Sequence, residues 1–159
     1  GNNISTIVQL SEKLNATNFS LDSIKSSLQP KQKRMKELSE FLDNYEKYKA
    51  NKEVYQEYAS ISNPKKKERF YESHRAEITL YQSVERFFDK HLSEKKLKPK
   101  SWQSDLNELS HSVSIERQKI SRLEDDVAVM DTIKRNVESL DKYEEKQHSH
   151  EHQQINEIQ

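Results

Sequence analysis

The sequence predicts an all-α protein in which two long helical arms form an antiparallel coiled-coil hairpin with a small helical tip. Composition is the first reason: 31% of the 159 residues are hydrophobic and 34% are charged, with one glycine and three prolines. So few turn-forming residues favour long helices over a compact domain with many turns. Two stretches also repeat apolar residues about every 3.5 positions, as coiled coils do. A denser apolar segment lies between them and predicts the tip.

The first arm is predicted over residues 2–62. Its apolar positions alternate between steps of three and four and comprise Ile7, Leu10, Leu14, Thr17, Leu21, Ile24, Leu28, Lys31, Met35, Leu38, Leu42 and Tyr45. Ten of these twelve residues are apolar or aromatic, which is typical of a coiled-coil seam. Pro30 removes one helical hydrogen bond and crowds the preceding turn. We therefore expect a kink, or a short break, over residues 26–29.

The tip is predicted over residues 63–100. Asn63 is a favourable helix cap, and Pro64 suits the first helical position because its missing amide costs nothing there. The dense apolar residues that follow predict two short helices, at 64–74 and 76–92, folded over the end where the arms meet. A linker over 97–99 then returns the chain, which makes the arms antiparallel.

The second arm is predicted over residues 101–146, with Ser101 as its cap. Its seam comprises Trp102, Leu106, Leu109, Val113, Glu116, Ile120, Leu123, Val127 and Met130. Beyond Met130 the apolar positions become Ile133, Val137 and Leu140, so a step of three replaces a step of four. This pattern predicts a stammer, which locally overwinds a coiled coil. Residues 147–159 are interpreted as a polar, histidine-containing tail.

Charge is segregated although the chain is neutral overall. Residues 64–100 hold eight lysines and three arginines against six carboxylates, a formal net charge of +5, and the remainder carries −5. Clustered cations of this kind can meet nucleic-acid phosphates. The candidate DNA contacts are Lys65, Lys66, Lys67, Arg69, Arg75, Lys95, Lys96 and Lys98. A solvated helix face is the alternative, because Glu68, Glu72 and Glu94 are interleaved among them.

No catalytic residue, metal or cofactor is expected. Most of the tyrosines recur at helical spacings, which indicates packing rather than a nucleophile, and the chain has no glycine-rich phosphate loop and no cysteine. His148 and His152 would share one helix face and could both reach a zinc or nickel ion. The polar tail offers them no scaffold and no clear third ligand, so we predict adventitious binding or none.

Four sequence blocks resemble a known family: ANKEVYQEYASI, PKKKERFYESHRAEITLYQSVERFF, LKPKSWQSDLNEL and IKRNVESL, within residues 50–140. They are similar to the region behind the catalytic domain in relaxases, the mobilisation nucleases of Gram-positive conjugative elements and plasmids. Such proteins nick DNA with an N-terminal domain that carries a tyrosine nucleophile and a histidine-rich metal site. Neither feature is matched here, so the resemblance implies no catalytic residue in this chain.

The resemblance implies a non-catalytic C-terminal module of a relaxase. Its partners would be transfer-origin DNA and conjugation accessory or coupling proteins. Gly1 is typical of a residue left by cloning, and we interpret the chain as part of a longer protein. No long apolar run or signal peptide is evident, so we expect a cytoplasmic protein without membrane insertion.

The main alternative is a structural coiled-coil spacer or dimerisation module without a nucleic-acid role. A homodimer stays open because coiled-coil seams pair within or between chains. An autonomous nuclease or metalloenzyme is the least favoured reading, since the chain lacks a complete catalytic constellation.

Overall fold

The computed structural model describes residues 2–158, and these residues are almost entirely helical. The four helices are α1 (Asn2–Ser60), α2 (Pro64–Ser73), α3 (Arg75–His91) and α4 (Pro99–Ile158). Over the described range there is no strand, and α1 packs against α4. The predicted all-α class is therefore confirmed. The chain divides into two compact units: unit 1 is Gly1–Pro30 with Val113–Gln159, and unit 2 is Lys31–Ser112.

Unit 2 has an aromatic core enclosed by segments of three helices. Its central cluster comprises Leu38, Phe41, Val84, Phe88 and Trp102, contributed by α1, α3 and α4. The α3 residues of this cluster recur with Ile78 and Tyr81 at helical spacing, so one face of α3 is buried. These contacts make α3 an integral layer of the unit.

Ring contacts show how α3 lies against α1. Phe41 contacts Phe87 at 5.9 Å between ring centroids, and Tyr48 contacts Tyr81 at 5.4 Å. Residue numbers rise along α1 as they fall along α3, so the two helices are antiparallel. Trp102, near the start of α4, lies 5.2 Å from Phe41. The structure thus differs from the predicted cap over the ends of both arms, because α3 runs back along the side of α1.

Unit 1 is built from the contact between two helices. Its most buried residues are Leu14, Leu21 and Leu28 on α1 and Val113 on α4. Polar contacts flank this seam: Ser27 Oγ donates to Glu116 Oε1 at 3.4 Å, and Lys25 Nζ pairs with Glu124 Oε1 at 3.3 Å. The predicted seam positions, from Ile7 through Tyr45 and from Trp102 through Met130, are all buried or half-buried.

The helix starts follow the prolines. Asn63 caps α2 as predicted, and its Oδ1 accepts hydrogen bonds from the amides of Lys65 at 3.0 Å and Lys66 at 3.2 Å. The prediction that Ser101 caps α4 is wrong, because α4 begins at Pro99 and Ser101 lies within its first turn. Proline favours the first helical position, so the same rule that places Pro64 also places Pro99.

Three further differences concern the long helices. Pro30 lies inside α1, so the alternative of a break is wrong. The α4 residues half-buried against α1 beyond Met130 include Lys134, Val137 and Asp141, whereas Ile133 and Leu140 are exposed. The seam therefore keeps its spacing of three and four, and the predicted stammer is wrong. Helix α4 also continues to Ile158 instead of ending near residue 146, and its side chains over 142–157 are all exposed.

Candidate nucleic-acid interface

Five of the predicted DNA contacts lie on α2 and at the start of α3. This α2 basic group comprises Lys65, Lys66, Lys67, Arg69 and Arg75. All of them are exposed except Lys67, which is half-buried with its Nζ 4.9 Å from the centroid of the Tyr58 ring. A cation over an aromatic face is held by the ring quadrupole. Lys67 therefore contributes to packing, and the other four side chains are available to a ligand.

The lysines at the start of α2 oppose the helix dipole. The first turn of α2 contains no carboxylate, although negative charge is favoured at a helix N-terminus. Lys65, Lys66 and Lys67 occupy that end, at a cost of about 0.3–1 kcal/mol for each misplaced charge. The Asn63 cap already occupies the amides of Lys65 and Lys66. An anion here would consequently meet lysine side chains rather than free backbone amides.

Three more predicted contacts lie in the connection between α3 and α4. This loop basic group comprises Lys95, Lys96 and Lys98, and each side chain is exposed. Like α2, helix α4 has no carboxylate in its first turn. By contrast, α3 follows the dipole rule, with Glu77 in its first turn and Lys90 in its last. Helices α2 and α4 thus begin with lysines at or just before their first turn and without a carboxylate there to offset them.

The eight predicted contacts do not form one patch. In the α2 basic group, Arg75 lies at the beginning of α3 and the other four members precede it on α2, whereas the loop basic group follows the end of α3. The 17 residues of α3 correspond to about 25 Å at 1.5 Å per residue. A ligand that meets both groups must therefore extend along α3.

Interleaved acids do not neutralise these cations by direct contact. Across residues 2–158, none of the eight predicted contacts forms an ion pair with a carboxylate. Ion pairs are instead seen elsewhere, as between Arg34 and Glu37 at 3.2 Å and between Lys49 and Glu46 at 3.6 Å. The two basic groups consequently keep their charge available at the surface.

A groove of about 440 Å³ adjoins the loop basic group. Its lining includes the basic side chains of Arg34, Lys96 and Lys98, together with His91, Phe41, Trp102, Glu94 and Asp105. Sequence reasoning missed Arg34 and His91. Their proximity follows from the end of α3 and the start of α4 meeting α1 near Phe41, which no local pattern signals.

The tyrosines form a packed stack. Tyr81 is buried, with its ring centroid 4.2 Å from that of Tyr55 and 5.4 Å from that of Tyr48. Burial, followed by the neighbouring Tyr48 and Glu85, raises the pKa of Tyr81 well above its ordinary value. A phenol that stays protonated is a poor nucleophile. The geometry therefore agrees with the packing role predicted from the tyrosine spacing.

The histidines of the predicted tail lie on the last turns of α4. His148 and His152 are exposed and four residues apart on the helix. Throughout the part of the chain that the structure describes, no group of three or more His, Asp or Glu side chains is arranged to hold a metal ion.

No family model, curated protein or solved structure matches this chain. None of the described helices is both long and apolar enough to cross a membrane. A functional proposal must therefore rest on the residues of the chain itself.

Proposed function

We propose that this chain is a non-catalytic C-terminal module of a relaxase and that its two basic groups contact DNA phosphates. The observation that carries the proposal is the placement of exposed, unpaired lysines around the starts of α2 and α4, against the helix dipoles. The sequence blocks over residues 50–140 support the choice of relaxase. Nicking would then belong to another domain of the parent protein.

The unfavourable charge placement supports a ligand role. Residues that break a local stability rule without a compensating contact tend to occur at functional sites. A phosphate beside Lys65 and Lys66, or beside Lys96 and Lys98, would offset both the mutual repulsion of the lysines and their conflict with the dipole. Arg34 lines the groove next to Lys96 and Lys98 and would add a bidentate phosphate donor.

The spacing of the two groups suits an extended polyanion. Because one strand of B-DNA carries a charge about every 3.4 Å, the roughly 25 Å of α3 between Arg75 and the loop basic group corresponds to about seven nucleotides. The cations are gathered at the helix ends, and we see no recognition-helix arrangement that would present side chains to a groove. We therefore assign the contacts to the phosphate backbone, which positions DNA without reading its sequence.

We also infer that α1 and α4 form the antiparallel coiled-coil hairpin predicted from the sequence. Two contacts in unit 2 support it: Lys31 Nζ donates to Ser112 Oγ at 2.8 Å, and Phe41 meets Trp102. Burial in steps of three and four along each helix also supports it. In this view unit 2 presents the basic groups, and other surfaces are left for accessory or coupling proteins of a cytoplasmic transfer complex.

A spacer or dimerisation module without a nucleic-acid role is the second candidate. The observation that favours it is the concentration of exposed apolar side chains in unit 1, which holds nine of the ten exposed large hydrophobic residues among the side chains that the structure describes. Both functions can coexist in one chain, because the basic groups and these apolar residues, Leu80 apart, belong to different units.

Fluorescence anisotropy with single-stranded and duplex DNA of mixed sequence tests the DNA proposal. Log K should fall linearly with log salt, with a slope of about −0.7 per phosphate contact on single strands and −0.9 on duplex. Combined reversal of Lys65, Lys66 and Arg69 to Glu should weaken binding to all sequences alike and flatten that slope. Lys67 is left unchanged because it packs on Tyr58.

The matched control reverses three exposed lysines of α1, Lys33, Lys36 and Lys47, to Glu. This variant has the same net charge as the test variant, so it separates local contacts from general attraction. Equal losses of DNA affinity in the two variants would show that net charge, and not local contact, explains the effect. Absence of salt-sensitive binding by the unmodified chain at low ionic strength would refute the DNA role and leave the spacer function.

A further inference from the structure

Helix α4 carries a second apolar stripe that α1 does not cover. This outer stripe comprises Val129, Ile133, Asn136, Leu140 and Tyr143, at successive steps of four, three, four and three. Its apolar members are 43–61% exposed. The first four members each lie one residue before a half-buried position of α4, so the stripe is turned roughly 100° away from the α1 seam. Unit 1 leaves the stripe open to solvent.

The period of the outer stripe indicates a helical partner. A spacing of 3.5 residues keeps apolar side chains facing one neighbouring helix over successive turns. The following segment of α4, residues 142–157, has no buried side chain, and isolated helices are marginal in water. A helix packed on the outer stripe would extend the support of α4 into this segment.

We propose that the outer stripe pairs with the same stripe of a second copy, in parallel and in register. In this arrangement each residue of the outer stripe packs against the identical residue of the second copy. Asn136 then lies opposite the same asparagine of that copy, so that the two amides can hydrogen-bond. An antiparallel pair would place Asn136 opposite Leu140 or Ile133. Its amide would then be buried against an apolar side chain, which is unfavourable.

Charges beside the stripe agree with the parallel arrangement. In a parallel coiled coil, the residue that precedes an a position of the heptad lies near the residue five positions later on the partner helix. In the phase of the outer stripe, Leu140 and Gln147 occupy a positions. This rule brings Lys146 near Glu151 of the second copy, and it brings Ser139 near Glu144 of the second copy. No like charges meet at these positions. The Lys146–Glu151 pair, just beyond the stripe, complements the self-pairing of Asn136 in a second copy, and the inference deepens the dimerisation candidate without depending on DNA binding.

The interface has limited length, which sets its expected strength. Upstream of Val129 the same phase is occupied by Asp126 and Arg122, and downstream of Tyr143 by Gln147 and His150. About two heptads are thus apolar. We expect a dimer that dissociates on dilution rather than a permanent one, visible in sedimentation velocity as a concentration-dependent shift between one and two chains.

Paired substitutions test the surface. Ile133→Glu with Leu140→Glu should hold the chain as a monomer at concentrations where the unmodified chain is dimeric. Both residues are exposed, so circular dichroism should still report a helical chain. The matched control, Ile4→Glu with Val8→Glu, changes two exposed apolar residues of α1 and should leave dimerisation intact. A dimer that survives the first pair, or dissociates equally with both, contradicts the assignment.

Disulfide crosslinking tests the orientation, since the chain contains no cysteine. Single cysteines at Val129, Asn136 and Tyr143 should each crosslink to themselves under mild oxidation, because parallel in-register layers bring identical residues together. Asp131→Cys, about 200° round the helix from Val129, should stay uncrosslinked. Crosslinking at only one layer would overturn the parallel register. A chain that remains monomeric at its highest soluble concentration would overturn the dimer itself.

Discussion

Units 1 and 2 share two long helices but bury their side chains to different extents. In unit 2 the added α3 lets three helices enclose Leu38, Ile78 and Val84, which are the largest fully buried residues of the described chain. In unit 1 two helices meet along one seam, and even Leu21, its best-buried leucine, keeps 6% of its surface exposed. Two packed helices bury one face of each helix but leave the edges of the seam open to solvent. In unit 2 a third helix covers such an edge, so the side chains between the three helices are fully buried.

This difference separates the tasks that the two units can perform. Unit 2 satisfies its apolar surface internally and can place charged groups at fixed positions. Unit 1 retains exposed apolar residues, and contiguous exposed apolar surface is typical of interaction sites. The proposed DNA contacts and the proposed dimer surface follow this division.

Truncating one leucine in each unit should give the largest contrast. Leu38→Ala should lower the free energy of unfolding by about 3–5 kcal/mol, because Leu38 is fully buried and neighbouring rings limit collapse of the cavity. Leu123→Ala in the half-buried seam should cost about 1–2 kcal/mol, since less apolar surface is lost. Urea unfolding monitored by circular dichroism measures both. Equal losses would mean that the third helix adds no protection.

The pH dependence of stability should reveal the burial of Tyr81 in unit 2. The pKa of Tyr81 is raised in the folded state, so the folded chain retains a proton that the unfolded chain loses above about pH 10. Its stabilising effect is complete below that pH and declines as the pH rises. Above about pH 10, Tyr81 should lower the free energy of unfolding of the unmodified chain by about 1.4 kcal/mol per pH unit. Tyr81→Phe should abolish this decline.

Leu123→Ala, which lowers stability without removing an ionisable group, is the control and should leave the shape of this pH profile unchanged. Urea unfolding between pH 8 and roughly pH 11 gives the comparison, with the range set by the ordinary tyrosine pKa. A Tyr81→Phe profile as steep as that of the unmodified chain would show that Tyr81 does not titrate differently in the two states.

Much of this fold could be predicted because its signals are local. The seam positions and the Asn63 cap follow from helical period and helix-end chemistry, which depend on residues a few positions apart. The stacking of Tyr48 on Tyr81 and the convergence of Arg34 with His91 depend on how α3 docks along α1. Single-sequence periodicity contains no information on that docking.

The prediction of a stammer is wrong for a specific physical reason. The sequence pattern assigns Ile133 and Leu140 to the seam because they are apolar residues that follow Met130. The helix instead kept its phase, so that Lys134 and Asp141 are half-buried at the seam and the apolar pair lies on another face. A change of apolar phase has two readings, one stripe that shifts or two stripes that overlap. Only three-dimensional contacts separate them.

The variant with the smallest expected effect should change the stability of the fold and the affinity for DNA in opposite directions. Lys65→Glu with Lys66→Glu places negative charge at the N-terminus of α2, where it should stabilise the helix by about 0.3–1 kcal/mol per residue. The same variant should bind DNA more weakly, because it replaces two phosphate-contacting cations. Thermal unfolding and anisotropy on one preparation measure both effects. A solvated face would show the stability gain without a loss of binding, and a lower melting temperature would reveal that the lysines support the fold. Higher stability with weaker binding is the result that a ligand-binding role requires.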